Sequence, residues 1–230
     1  LKEQKSILIN QAVTEGLNSD VPMQDSGVEW IGKIPEHWQV VANRIVFNEV
    51  KEPGNDLLPI LSVSLHTAVS LGEQSGDENI RAKIRIEDKS SYKRVAIGDI
   101  VFNMMRAWQG AIGAVRVEGM VSPAYIVARP KFQFNADYFE YLYRTLSFIQ
   151  QMDRNSKGIT DFRKRLYWDE FKQLITLLPP LAEQEAIANY CVNIIAKTDA
   201  VTANEQKVID KLQEFKQTLI AHAVTGKIKV

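Results

Sequence analysis

Asp77, Glu87 and Lys89 stand in the order D-x9-E-x-K, the residue types with which a metal-dependent nuclease holds a divalent cation and offsets charge on a phosphate. The pattern is short and charged residues are dense around it, so a solvated basic hairpin is the preferred reading. A DNA methyltransferase needs a glycine-rich turn for its methyl donor and an Asn/Asp-Pro-Pro-aromatic motif, and neither occurs. Gly110-Ala-Ile-Gly113 is a weak glycine pair that fits a turn between strands. No P-loop is present. His37, His66 and His222 have no metal-ligand spacing with one another, and Ser122 lacks a nucleophile setting. The sequence offers no convincing active site, and no metal site is expected.

Other residues suit nucleic acid. Arginine and lysine neutralise phosphates, and Arg, Lys, Asn and Gln read base edges. The run Asn103-Met-Met-Arg-Ala-Trp-Gln109 places Arg106, Trp108 and Gln109 in a turn at the end of a strand. The run Asn155 to Arg165 is a basic loop carrying Lys157, Thr160, Arg163, Lys164 and Arg165. Trp108 also fits a core cover, and the loop also fits plain solvated surface.

Charge is uneven beneath a net value of zero. Residues 15–56 hold eight acids against three bases, residues 81–94 six bases against two acids, and residues 154–172 six bases against three acids. A neutral chain can therefore present a basic face, although two ordinary solvated surfaces account for the same counts. The chain of 230 residues is 45% hydrophobic and 24% charged, the mix of a folded protein with a sizeable core. A single cysteine, Cys191, excludes an internal disulfide and a multi-cysteine metal site. No apolar run is long enough for a membrane helix. With no signal peptide visible and Leu1 at the start, the expectation is a cytoplasmic protein seen as a fragment or in processed form.

The elements that position these groups form an α+β head. Strand-like runs fall at Ile60–Ser64, Ile100–Met105, Ile112–Val117, Ala124–Ala128 and Leu174–Leu178. A polar approach segment spans Pro22–Trp38, and a short helix is expected near Asp169. An amphipathic helix is predicted over Asn135–Met152, with Asn135 as N-cap and Tyr138, Leu142, Leu146 and Ile149 on one face.

From Leu181 to Thr225 there is neither Gly nor Pro. Ile187, Cys191, Ile194, Thr198, Val201, Glu205, Val208, Leu212, Phe215, Leu219 and His222 recur at 4-3 spacing, the seam of a coiled coil. A helix of that length is ~66 Å long and needs a partner. Residues 1–15 (LKEQKSILINQAVTE) repeat residues 212–226 (LQEFKQTLIAHAVTG) with eight identities and no gap, so the chain reads as one full unit of a two-unit protein.

The segments DSGVEWIGKIPEHW (25–38), GDIVFNMMRAWQGAIG (98–113), VSPAYIV (121–127), SKGITDFRKRL (156–166) and LPPLAEQEAIA (178–188) resemble those of type I restriction-modification specificity subunits. The resemblance runs through nearly the whole chain in the family's order. It implies residues 1–16 as the end of a spacer helix, 17–178 as a DNA-binding target recognition domain, the second of two, and 179–230 as the distal long helix. It implies a non-catalytic subunit of a prokaryotic restriction system that binds half of a bipartite double-stranded DNA target. Its partners would be methyltransferase subunits, a restriction subunit with motor and nuclease activities, and a second copy joined through the long helix. S-adenosylmethionine, ATP and Mg are expected on those partner subunits and no cofactor on this chain. Only one recognition domain is present, a departure from the family. Tyr125 joins Arg106, Trp108, Gln109, Lys157, Thr160, Arg163, Lys164 and Arg165 as the expected DNA contacts. Two readings from other classes stay open: a coiled-coil assembly module whose head binds protein, and the nuclease above.

Overall fold

The computed structural model describes residues 1–55, 57–65, 68–71, 91–158 and 163–225. The chain opens with α1 (Lys2–Glu15), which ends at Gly16. Three short strands follow, β1 (Met23–Asp25), β2 (Lys33–Pro35) and β3 (Gln39–Ala42), then a helical turn α2 (Asn43–Val46) and β4 (Phe47–Val50). Next come β5 (Leu61–Ser64), β6 (Ala68–Leu71), β7 (Lys93–Val95), β8 (Ile100–Asn103), β9 (Ile112–Ala114), β10 (Gly119–Val121) and β11 (Tyr125–Pro130). Helices α3 (Ala136–Tyr143), α4 (Leu146–Asn155) and α5 (Trp168–Phe171) lead to β12 (Ile175–Leu178) and the long α6 (Leu181–Val224).

The centre of the head is an antiparallel sheet in the order β4-β11-β8-β9. Strand side chains alternate between faces, and here both faces are buried. Ile100, Phe102, Ile126 and Ala128 point into a large core with the helices, while Val101 and Val127 join Leu61, Val63, Val95, Val115 and Val121 behind the sheet. Two buried faces explain why β8 and β11 read as near-continuous apolar runs rather than alternating ones. The large core is aromatic, with Phe47 ringed by Phe134, Phe139, Tyr143 and Phe171 at centroid distances of 5.6 to 6.3 Å.

The amphipathic stripe over 135–152 is two helices rather than one. Asn135 caps α3 by accepting from the Tyr138 amide at 3.0 Å, and Thr145 caps α4 by accepting from Phe148 at 3.3 Å. The break at Arg144–Thr145 turns Leu146 outward, 70% exposed, whereas Tyr138, Leu142 and Phe148 stay in the core. Strand β9 stops at Ala114, three residues short of the expected Val117, because Arg116 leaves the sheet to pair with Asp137 at 2.7 Å and Glu140 at 3.2 Å.

Pairing of β12 with β3, Leu178 opposite Gln39, closes the head at its waist. The strand just before α6 thus lies beside the strand that follows the entry segment, and α1 and α6 meet. They run antiparallel: Lys5 Nζ reaches Asp199 Oδ1 at 3.0 Å, while at the other end Gly16 approaches Trp38, whose indole donates to Glu183 Oε2 at 2.9 Å. The start of α6 explains part of the LPPLAEQ run. Glu183 accepts from Trp38 and pairs with His37 at 2.6 Å. Buried Gln184 accepts from the Asn135 amide and donates to the Pro179 carbonyl, both at 2.8 Å. The two side chains bolt the rod to the head.

Of the predicted seam, Ile187 and Cys191 are buried against the head and α1, and Ile194 is half-buried. Every residue of 199–221 is exposed, including Val201, Val208, Leu212, Phe215 and Leu219. The seam is therefore an intramolecular contact at one end and bare from Val201 to Leu219.

Candidate nucleic-acid interface

At its far end β8 leaves the sheet through a tight turn. Asn103 Oδ1 accepts from the Met105 amide at 2.9 Å, its carbonyl accepts from the Arg106 amide at 3.0 Å, and residues 107–109 form one turn of 3-10 helix. Gly110 ends it with φ of 96°, and a Cβ there would lie 2.9 Å from Ile149 Cδ1. The turn sends Ala107 into the core and leaves Arg106 and Gln109 exposed. Trp108 is half-buried, its indole donating to the Met105 carbonyl at 2.9 Å, so it braces the turn rather than roofing the core.

The basic loop begins where α4 ends. Lys157 and Arg165 face each other as an antiparallel bridge, with backbone bonds of 2.8 and 2.7 Å. The neck is so narrow that a Cβ on Gly158, whose φ is 144°, would lie 2.6 Å from the Arg163 carbonyl oxygen. Just past the loop, the Leu166 amide donates to the Met104 carbonyl at 2.8 Å. This bond fastens the base of the loop to the Arg106–Gln109 turn. Lys164 Nζ then lies 5.2 Å from the centroid of the Trp108 ring, a cation–π contact between the two segments. Tyr125, at the start of β11, sits opposite Asn103. One end of the sheet thus gathers Arg106, Trp108, Gln109, Tyr125, Lys157, Lys164 and Arg165, with exposed Arg163 beside Gly158. Thr160 lies outside the described residues.

The electrostatics of this edge are more balanced than a count of bases suggests. Lys157 Nζ lies 2.5 Å from Glu170 Oε1, which raises the pKa of the lysine through a hydrogen bond and charge attraction. Lys164 Nζ lies 2.6 Å from Asp153 Oδ1, and Lys172 Nζ 2.6 Å from Asp169 Oδ1. In the other basic stretch Lys93 donates to the carbonyls of Tyr125 at 2.6 Å and Pro123 at 3.3 Å. Burial lowers its pKa, with Glu49 opposing the shift and Lys51 adding to it. Arg94 is held by Glu118 at 2.5 Å. Arg81, Lys83, Arg85 and the Asp77, Glu87 and Lys89 set lie outside the described residues. Among the described residues, no group of three or more His, Cys, Asp or Glu side chains could hold a metal ion, and no helix is long and apolar enough to cross a membrane.

Several organising residues carry no local sequence signal. Asp99 binds Arg129 Nε at 2.9 Å and the Ala96 amide at 2.9 Å, and Arg129 also binds Glu52, a network that raises the arginine pKa. Buried Asn43 donates to the Phe171 carbonyl at 3.0 Å and accepts from Tyr143 Oη at 2.8 Å. Gln151 bonds both backbone groups of Ile175, fixing the edge of β12. Beside the joint, a cleft of about 290 Å³ is lined by Leu17, Asn18, Val21, His37, Glu183 and Ile187, among others.

No protein-family model matches the chain. Over 89 residues it is 29% identical to the specificity subunit of the type I restriction enzyme EcoBI from Escherichia coli, a stretch covering 38% of this chain and 18% of that protein. Its fold is similar to that of the HsdS subunit from Thermoanaerobacter tengcongensis, with a TM-score of 0.55 at 15% identity over 99% of this chain and 52% of that one. A chain from a structure concerned with complex assembly and conformational transition of the type I R-M system gives a TM-score of 0.57 at 15% identity, over 96% of this chain and 52% of that one. The chain spans about half the length of these solved relatives. By a matched stretch of sequence and by fold, it is similar to one half of a type I restriction-modification specificity subunit.

Proposed function

We propose that the chain is a non-catalytic recognition module that binds one half of a bipartite DNA target and directs methyltransferase and restriction subunits to it. The observation that carries this reading is the bond between Leu166 and Met104, which joins the Arg106–Gln109 turn to the Lys157–Arg165 loop. The joined edge carries arginine, lysine and glutamine for base edges and phosphates, and a tryptophan and a tyrosine for apolar contact. Catalysis and its cofactors, S-adenosylmethionine, ATP and Mg, belong to the partner subunits in this reading.

The rod supplies spacing and assembly. Ala12, Val13 and Thr14 are buried where α1 meets the head, whereas Val224, the counterpart of Val13 in the repeat, is 81% exposed. The repeated sequence is thus seated at one end of the unit and more exposed at the other. A second copy of the chain, running antiparallel, would cover the bare seam and set the distance between two DNA half-sites.

The bare seam also favours the rival, an assembly module whose head binds protein. Selection on randomised duplex DNA, with the chain expressed beside its genomic neighbour, separates the two. The recognition reading expects capture of a methyltransferase and enrichment of one short motif. Self-association with no motif and no methyltransferase would leave the assembly module.

A further inference from the structure

We propose that Asp153 and Glu170 set the sequence specificity of this edge by holding Lys164 and Lys157 in the DNA-free protein, so that neither lysine grips phosphate on arbitrary DNA. The inference rests on the DNA-recognition reading.

The two lysines stand on a loop whose neck is fixed by the Lys157–Arg165 bridge and by Gly158, so their side chains start from defined positions. Each reaches back from the loop to a carboxylate on a helix of the head. Lys164 bonds Asp153 on α4 at 2.6 Å and lies over Trp108 of the neighbouring turn. Lys157 bonds Glu170 on α5 at 2.5 Å.

Glu170 is poorly placed if folding were its only purpose. Its side chain is 14% exposed, and its Oε2 is buried with no hydrogen-bond partner among the described residues. A buried carboxylate with one oxygen unsatisfied carries a desolvation cost that a neutral side chain would avoid. What the charge does here is hold Lys157, a side chain that is itself 70% exposed on the candidate face.

Carboxylate and phosphate compete for the same ammonium. On arbitrary DNA, moving a lysine from its carboxylate to a phosphate leaves the acid uncompensated, so the net charge offered to the duplex does not grow. On the right sequence, base contacts by the neighbouring turn add the free energy that opens these pairs. Removing the acid takes away a carboxylate that competes with phosphate for the lysine, which adds affinity for every sequence alike.

The test compares wild type with Glu170→Gln and Asp153→Asn in complex with the methyltransferase subunits, titrating a random-sequence duplex and the selected target across a salt series. Each variant is expected to bind the random duplex more tightly. The slope of log affinity against log salt should steepen by about 0.9, so the gain grows about 3.5-fold between roughly 200 and 50 mM salt. The ratio of target to random affinity should fall. The gain should vanish when Lys157→Gln or Lys164→Gln accompanies the matching acid change. Asp210→Asn, on the bare part of α6, removes the same charge away from the edge and should give no gain. Unfolding midpoints check that the variants stay folded. Random-duplex affinity that is unchanged or weaker in both variants, or an equal gain in Asp210→Asn, would overturn the inference while wild-type target binding leaves the recognition reading standing. Absence of salt-dependent duplex binding by wild type and variants alike would remove both.

Discussion

Replacing Gln184 by alanine tests what the LPPLAEQ run does. Gln184 is 2% exposed and serves two backbone groups at once, accepting from the Asn135 amide and donating to the Pro179 carbonyl at 2.8 Å each. Truncation leaves a buried carbonyl and a half-buried amide without partners at the place where rod and head join. An unsatisfied buried group costs about 1–3 kcal/mol. With the amide partly reached by water, the sum is about 2–4 kcal/mol. For a chain of this size a loss of 1 kcal/mol lowers the unfolding midpoint by about 2–4 °C, so a drop of roughly 4–16 °C is expected. Gln184→Glu keeps the acceptor for Asn135 but loses the donor to Pro179 and buries a charge, so it should be at least as damaging. Thermal and urea unfolding followed by circular dichroism measure both variants. A change below about 0.5 kcal/mol, the level of an ordinary surface substitution, would refute the view that this side chain bolts α6 to the head.

Three further outcomes are expected. Leu212→Glu with Phe215→Glu should abolish self-association, read by sedimentation, while leaving the unfolding midpoint of the monomer unchanged, because both side chains are about 60% exposed. Burial pushes the Cys191 thiol from its ordinary 9.0 up to about 12. The folded chain therefore keeps a proton that the unfolded chain loses, and the stability tied to this group is whole below pH 9 and lost as pH rises toward 12. The urea midpoint should fall over that window more steeply in wild type than in Cys191→Ala. Gly158→Ala places a Cβ 2.6 Å from the Arg163 carbonyl oxygen; it should weaken DNA binding severalfold by widening the loop neck, with little change in global stability, as measured by anisotropy beside thermal melts.

Local signals in the sequence mark much of this molecule. The Gly- and Pro-free run after Pro180 marks α6, Asn135 marks the α3 cap, and the apolar runs mark β8 and β11. The break between α3 and α4 was hidden because Tyr138, Leu142 and Ile149 keep helical spacing across it; Thr145, a capping residue inside the stripe, was the available sign. Heptad spacing could not separate Ile187 and Cys191, which pack on the head, from Val208 and Leu212, which are bare, since a period records a face and not what covers it. At the candidate edge the basic residues were visible, but their acids were not. Asp153 and Glu170 are separated from Lys164 and Lys157 by 11 and 13 positions of chain, and only the fold brings them together.

The claim that the joined edge reads DNA is tested most directly at Arg106 and Gln109, the two exposed side chains of the turn. The motif enriched from randomised duplexes by wild type is compared with that of Arg106→Ala and Gln109→Ala, each assembled with the methyltransferase subunits. The account predicts relaxed preference at particular positions of the motif, with a loss of about 1–3 kcal/mol on the wild-type target and little change on random DNA. The same motif enriched with the same strength by both variants would contradict it.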